Sequence, residues 1–184
     1  MPAPDRPEAD ELVEAGTIGT IIQHLRQNFL FTVLDCEHTL NERTLAALDA
    51  ADRIVLVTQL NVAALRSAQR TVALCTRLGY SKEKVCVVVN RHQSGEVLSP
   101  ADAEDVLKAP IYYKLPNDYR VASGAQTNGQ PVAEFDPASK LAWSFSQLAA
   151  KLGGATASAT NGTHHQNGAG ASRLKRLFAR KRST

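Results

Sequence analysis

Four short runs of apolar, largely β-branched or aromatic residues recur along this 184-residue chain, and none of them alternates with polar residues. They are Phe29-Leu30-Phe31-Thr32-Val33-Leu34 closed by Asp35, Arg53-Ile54-Val55-Leu56-Val57-Thr58, Val85-Cys86-Val87-Val88-Val89, and Ile111-Tyr112-Tyr113-Lys114-Leu115. A strand with one face in water alternates; a run that stays apolar predicts a strand covered on both faces. Helix-period segments separate the runs and no tight hairpin signal joins them, so each connection is a crossover and neighbouring strands run parallel. The expected fold is α/β, a mostly parallel sheet with helices on both faces.

The intervening segments carry their own start and stop signals. Ile18, Ile21, Ile22 and Leu25 fall on one helical face before the first run, and residues 40–51 read as a second helix. A helix over 62–78 has Asn61 as its N-cap and Gly79 just past its end, where a left-handed residue belongs. Ser99-Pro100-Ala101-Asp102 combines a cap, a first-turn proline and an acid three residues on, which predicts a helix to Lys108. Residues 118–128 look helical, and Asp136-Pro137 is expected to open a last helix with Leu141, Phe145, Leu148 and Leu152 as its apolar stripe.

The organisation expected is an extended segment over 1–16, a folded part over 17–152, a flexible linker over 153–172 and a basic tail over 173–184. The linker is Gly, Ala, Ser, Thr and Asn with His164-His165, too poor in apolar groups to offset its ordering entropy. Six of the 21 basic residues lie between Arg173 and Arg182, which leaves the remainder mildly acidic despite a net charge of +3. That distribution gives no basic groove and no specific nucleic-acid site. Within the tail, Leu174, Leu177 and Phe178 share a helical face among cations, so it can lie weakly on an anionic membrane or serve as a solvated tail. Cys36, Cys75 and Cys86 have no metal-type spacing, and no apolar run is long enough to span a bilayer. A cytoplasmic location, with peripheral contact at the inner membrane through the tail, is the expectation.

In open α/β sheets ligands sit beyond the carboxyl ends of the strands, so the residues closing each run matter most. Asp35 closes the first, Asn90-Arg91 follows the third and Pro116-Asn117-Asp118 follows the fourth. A carboxylate at a strand end can hold a magnesium ion through water, or cap the next helix. An asparagine offers an acceptor and two donors, which suits an adenine edge, or forms an ordinary Asx turn.

Taken together, the segment from Val33 to Asp52, the strand through Val57-Thr58-Gln59, Leu65-Arg66-Ser67-Ala68, Val89-Asn90-Arg91 and Leu115-Pro116-Asn117-Asp118-Tyr119-Arg120 resemble the CpaE and TadZ family, pilus-assembly members of the MinD and ParA group of P-loop ATPases. The resemblance covers roughly residues 2–152. It implies ATP and Mg2+ as cofactors of the complete domain, with Asp35 as the magnesium-side carboxylate and catalytic candidate. It further implies an adenine-reading Asn90 beside Arg91, and a base-packing loop from Pro116 through Asn117 to Asp118. Implied partners are components of the Flp/Tad (type II/IV) secretion and pilus machinery, with a homodimer open. Glu37 departs from the pattern, which more often has proline there.

The phosphate-binding loop GxxxxGK[ST], or its lysine-bearing variant, occurs nowhere in these residues. Gly16-Thr17-Ile18-Gly19-Thr20 lacks the lysine and the preceding strand, and reads as a helix start. The expectation is the C-terminal part of a longer domain, with about a hundred residues absent at roughly 30 per βαβ unit. The resemblance also implies that a P-loop strand belongs between the strand ending at Asp35 and the one ending at Thr58. Two classes of function follow: a partial pilus-assembly ATPase that does not hydrolyse ATP alone, or a nucleotide-free interaction module.

Overall fold

The computed structural model describes residues 15–37 and 39–153. Among them the sheet has three parallel strands in the order β1 (Ile54–Thr58), β2 (Val85–His92), β3 (Ile111–Pro116). β1 and β2 pair in unbroken register from Ile54 opposite Val85 to Thr58 opposite Val89. The β2–β3 pairing slips between Val89 and His92, near the end where ligands sit in such sheets.

Helices α3 (Val62–Arg77) and α4 (Pro100–Leu107) cover one face, where Leu65, Ala68, Ala103 and Leu107 close over Val87 and Val89. Helix α7 (Lys140–Leu152) covers part of the other face, with Leu148 packed on Val88 and Leu115. Its C-terminal end is fixed to the start of β3 by reciprocal bonds: the Tyr112 hydroxyl donates to the Lys151 carbonyl at 2.9 Å, and Lys151 Nζ donates to the Tyr112 carbonyl at 2.6 Å. The short helices α5 (Tyr119–Thr127) and α6 (Val132–Phe135) lie between β3 and α7.

Helices α1 (Ala15–Asn28) and α2 (Glu42–Ala50) pack on each other, with Ile22, Thr44 and Ala47 buried. Polar contacts tie this pair to the sheet. Arg26 reaches Asp52 at 2.8 Å, and Asp49 accepts the Tyr80 hydroxyl at 2.5 Å while its carbonyl accepts Lys84 Nζ at 3.1 Å.

The caps follow the sequence signals. Asn41, Asn61, Asp118 and Ser139 each accept a first-turn N–H, and Ser99 with Asp102 forms the reciprocal capping box. Gly79 takes φ +82°, so that Tyr80 N–H reaches the Cys75 carbonyl and Gly79 N–H the Thr76 carbonyl, both bonds of a Schellman ending.

Two expectations are corrected. Residues 29–35 are not a buried strand: they run without regular structure, exposed, and make no backbone hydrogen bond to β1 among the described residues. A strand exists only when a neighbour takes its N–H and C=O groups, and the apolar text alone supplies no neighbour. Asp136-Pro137 forms a turn, closed by Ser139 N–H on the Asp136 carbonyl at 3.1 Å, and the last helix starts at Lys140 with Ser139 as its cap. A separate turn of helix, α6, stands before it. The linker from 154 and the basic tail lie outside the described residues. No helix among the described residues is long and apolar enough to cross a membrane.

Candidate functional site

Where β2 and β3 end, the chain turns twice within a short distance, and both turns face one pocket. β2 does not stop at Val89: it continues through a slip that puts Arg91 at φ +56°, a left-handed conformation costly for a side chain with a Cβ. The Arg91 N–H donates to Asn90 Oδ1 at 2.9 Å. This Asx-type bond holds Asn90 half-buried with its amide nitrogen still available. Arg91 is exposed and makes no ion pair among the described residues.

The second turn is bonded to the first. Asn117 N–H donates to the His92 carbonyl at 2.9 Å, and its side-chain nitrogen reaches Gln93 Oε1 at 3.4 Å. His92 Nδ1 in turn meets Glu96 Oε2 at 2.9 Å, which closes the loop after β2 on itself. Asp118 points along the backbone to cap α5, accepting Val121 N–H at 3.1 Å.

Between the two turns lies an open pocket of about 190 Å³. Asn90, Arg91, Pro116, Asn117 and Asp118 all line it, as the sequence pattern placed them, together with Tyr119, Ala122, Val132, Leu141 and Phe145. Those additional residues supply apolar walls. Tyr119 follows the α5 cap, and Phe145 is 42% exposed although its spacing put it on the core stripe of α7. Helical periodicity finds the stripe but not where the stripe overruns its partner, so nothing in the text distinguished Phe145 from Leu148. The wall from α6 was missed because one turn of helix has no period to read.

The pocket is smaller than the roughly 300 Å³ at which sites for drug-sized ligands begin, and it suits one planar ring with polar edges. Its polar groups are an amide, a guanidinium and a partly used carboxylate, beside aromatic walls. Such a set can hydrogen-bond a base and sandwich its faces; it contains no nucleophile paired with a base.

Asp35 does not line this pocket; it sits exposed on the unpaired segment. It raises the pKa of the neighbouring Cys36 thiol, an effect second to desolvation there. Among the described residues no three His, Cys, Asp or Glu side chains converge on a metal position. The donor set thus offers Mg2+ no protein-built cage, and Asp35 could give it only one carboxylate, the rest of the shell being water or phosphate.

No protein-family model matches the chain. It is 25% identical over 149 residues to the septum site-determining protein MinD of Thermotoga maritima, covering 78% of this chain and 54% of that protein. Its fold matches a ParA family ATPase from Chlorobium tepidum with a TM-score of 0.74 and 21% identity, over 83% of this chain and 62% of the other. It also matches MinD from Pyrococcus horikoshii, solved in complex with Mg-ADP, with a TM-score of 0.63 and 23% identity, over 76% and 56% of the two chains. The chain spans about half the length of the curated relatives it matches.

Proposed function

From the fold this chain shares with the MinD and ParA-type P-loop ATPases, we propose that it is the base-binding part of an ATP-binding protein of the CpaE and TadZ pilus-assembly branch, and that alone it does not hydrolyse ATP. The observation carrying this reading is the convergence of Asn90 and Arg91 with Pro116, Asn117 and Asp118 at the carboxyl ends of two neighbouring parallel strands, where open sheets bind ligands. The free amide of Asn90 hydrogen-bonds the adenine edge, Tyr119 and Phe145 cover its faces, and Arg91 stands at the rim.

Phosphates need a lysine and a cradle of N–H groups, and residues 1–184 contain no motif that supplies them. ATP bound with Mg2+ in the complete domain would have Asp35 on its metal side; here that carboxylate does not line the pocket, and no hydrolytic step can be assembled. The pilus assignment is supported by the ordered set of motifs, and partners in the Flp/Tad machinery follow from it.

Competition binding with a fluorescent adenine nucleotide tests the reading. Adenosine and ATP should displace it with similar affinity, because only the base is recognised, and Asn90→Ala should weaken both by about tenfold. ATP binding far tighter than adenosine, or magnesium-dependent phosphate release above background, would overturn it. A nucleotide-free interaction module is the second reading, favoured by the exposed apolar residues 29–34. It predicts no displacement by either ligand. The tail between Arg173 and Arg182 is proposed to add weak contact with anionic membranes, about 1 kcal/mol for each cation near the surface. Loss of co-sedimentation with anionic vesicles on deleting 173–184 is the check.

A further inference from the structure

β2 reaches the pocket without full support from its ladder. From Val89 to His92 it advances three residues while β3, from Lys114 to Pro116, advances two, so one residue of β2 is surplus to the pairing. A surplus residue leaves the ladder and turns the backbone, and here the turn falls on Asn90 and Arg91, with Arg91 left-handed at φ +56°. A residue with a Cβ keeps such a conformation only where its surroundings impose it. Pro116, opposite His92, has no N–H to donate to β2. The sheet alone therefore does not fix the two residues that open the pocket.

His92 supplies what the ladder lacks. Its carbonyl accepts the Asn117 N–H at 2.9 Å, which ties the turn after β2 to the turn after β3, one residue beyond the last paired position. Asn117 Nδ2, 3.4 Å from Gln93 Oε1, adds a second tie across the same gap. The His92 ring is held in turn, its Nδ1 meeting Glu96 Oε2 at 2.9 Å. Gly95, at φ +84°, makes the turn that carries Glu96 back to the ring. The two side chains are 25% and 20% exposed, against 53% and 79% for Arg26 and Asp52, so water screens this pair less than that one. None of His92, Gln93 and Glu96 lines the pocket.

We infer that Glu96, acting through His92, is a positioning residue of the pocket. The carboxylate holds the imidazole, the imidazole holds the backbone that accepts from Asn117, and the two turns then present Asn90, Arg91 and Asn117 to one ligand. Nδ1 carries a hydrogen both in the imidazolium and in the neutral tautomer that this bond selects, so the tie persists in either charge state of His92. The inference rests on the base-binding reading for what the pocket receives, and on these bonds alone for what shapes it.

Two measurements on the full 184-residue chain test it. Amide hydrogen exchange without nucleotide reads the turns: Glu96→Ala should speed exchange at Asn117 and Arg91 by about tenfold, with the amides of β1 unchanged. Displacement of the fluorescent adenine nucleotide by adenosine reads the pocket, and the same substitution, which removes no lining group, should weaken it about fivefold. Adding Glu96→Ala to His92→Ala should change neither measurement further, because a residue that acts through another then has nothing to act on. His92→Asn, whose amide nitrogen stands near the place of Nδ1, should keep wild-type exchange and affinity. Unchanged exchange at Asn117 in Glu96→Ala, additive effects of the two alanine substitutions, or a His92→Asn protein no better than His92→Ala overturns the inference. A wild type that shows no displacement at all sinks the base reading instead, and exchange then decides on Glu96: faster exchange at Asn117 upholds the tie, and unchanged exchange ends it.

Discussion

Asp118 Oδ1 accepts the backbone N–H of Val121 at 3.1 Å, so the carboxylate at the end of the turn after β3 also starts α5. Asp118 also lines the pocket, so the cap and the pocket share one residue. Replacing an N-cap acid by alanine costs about 1 kcal/mol, whereas asparagine or serine preserves the bond. Asp118→Ala should lower the urea midpoint accordingly, and Asp118→Asn should leave it nearly unchanged. If Asp118→Asn weakens nucleotide displacement while keeping the midpoint, the carboxylate contributes to the ligand beyond its cap.

Thr58 ends β1 at 5% exposure with a hydroxyl that has no hydrogen-bond partner among the described residues. A buried hydroxyl without a partner costs about 1–3 kcal/mol of desolvation, and valine has nearly the same shape. Thr58→Val should raise stability by roughly 1 kcal/mol in chemical denaturation. A loss of stability would mean that the hydroxyl is satisfied in solution.

Leu107 and Val57 separate what holds this chain together from what it leaves open. Leu107 is 1% exposed inside the α3–α4 layer, and Leu107→Ala should cost about 2–5 kcal/mol. Val57→Ala should change the isolated chain by less than about 0.5 kcal/mol. Thermal melts of the two variants, read side by side, check that contrast.

The caps at Asn61, Ser99 and Asp118 and the glycine end at Gly79 were legible because each is a local bargain between a side chain and the next turn of backbone. Strand 85–89 was legible because its β-branched text and its burial agree. The run 29–35 misled for the converse reason: its text is that of a strand, but pairing is decided by a neighbour elsewhere in the chain or outside it. The pocket residues Asn90, Arg91, Pro116, Asn117 and Asp118 were found because strand ends can be read. The slip after Val89, the left-handed Arg91 and the exposure of Phe145 depend on how β2 and β3 sit against α7, which residue spacing does not encode.

Tyr80 gives a pH-dependent readout of how the α1–α2 pair is held. Burial, and next the hydrogen bond to Asp49, push its phenol up to about 12. Unfolded tyrosine titrates near 10, so the folded protein holds the proton more tightly. The resulting stabilisation is complete below about pH 10 and is lost as pH rises through about 12. Tyr80→Phe removes both the bond and the titration. The melting temperature of the wild type should exceed that of Tyr80→Phe at about pH 8, and the difference should shrink steadily between about pH 10 and 12. A difference that stays constant across that window would show that the Tyr80 hydroxyl does not hold Asp49 in solution.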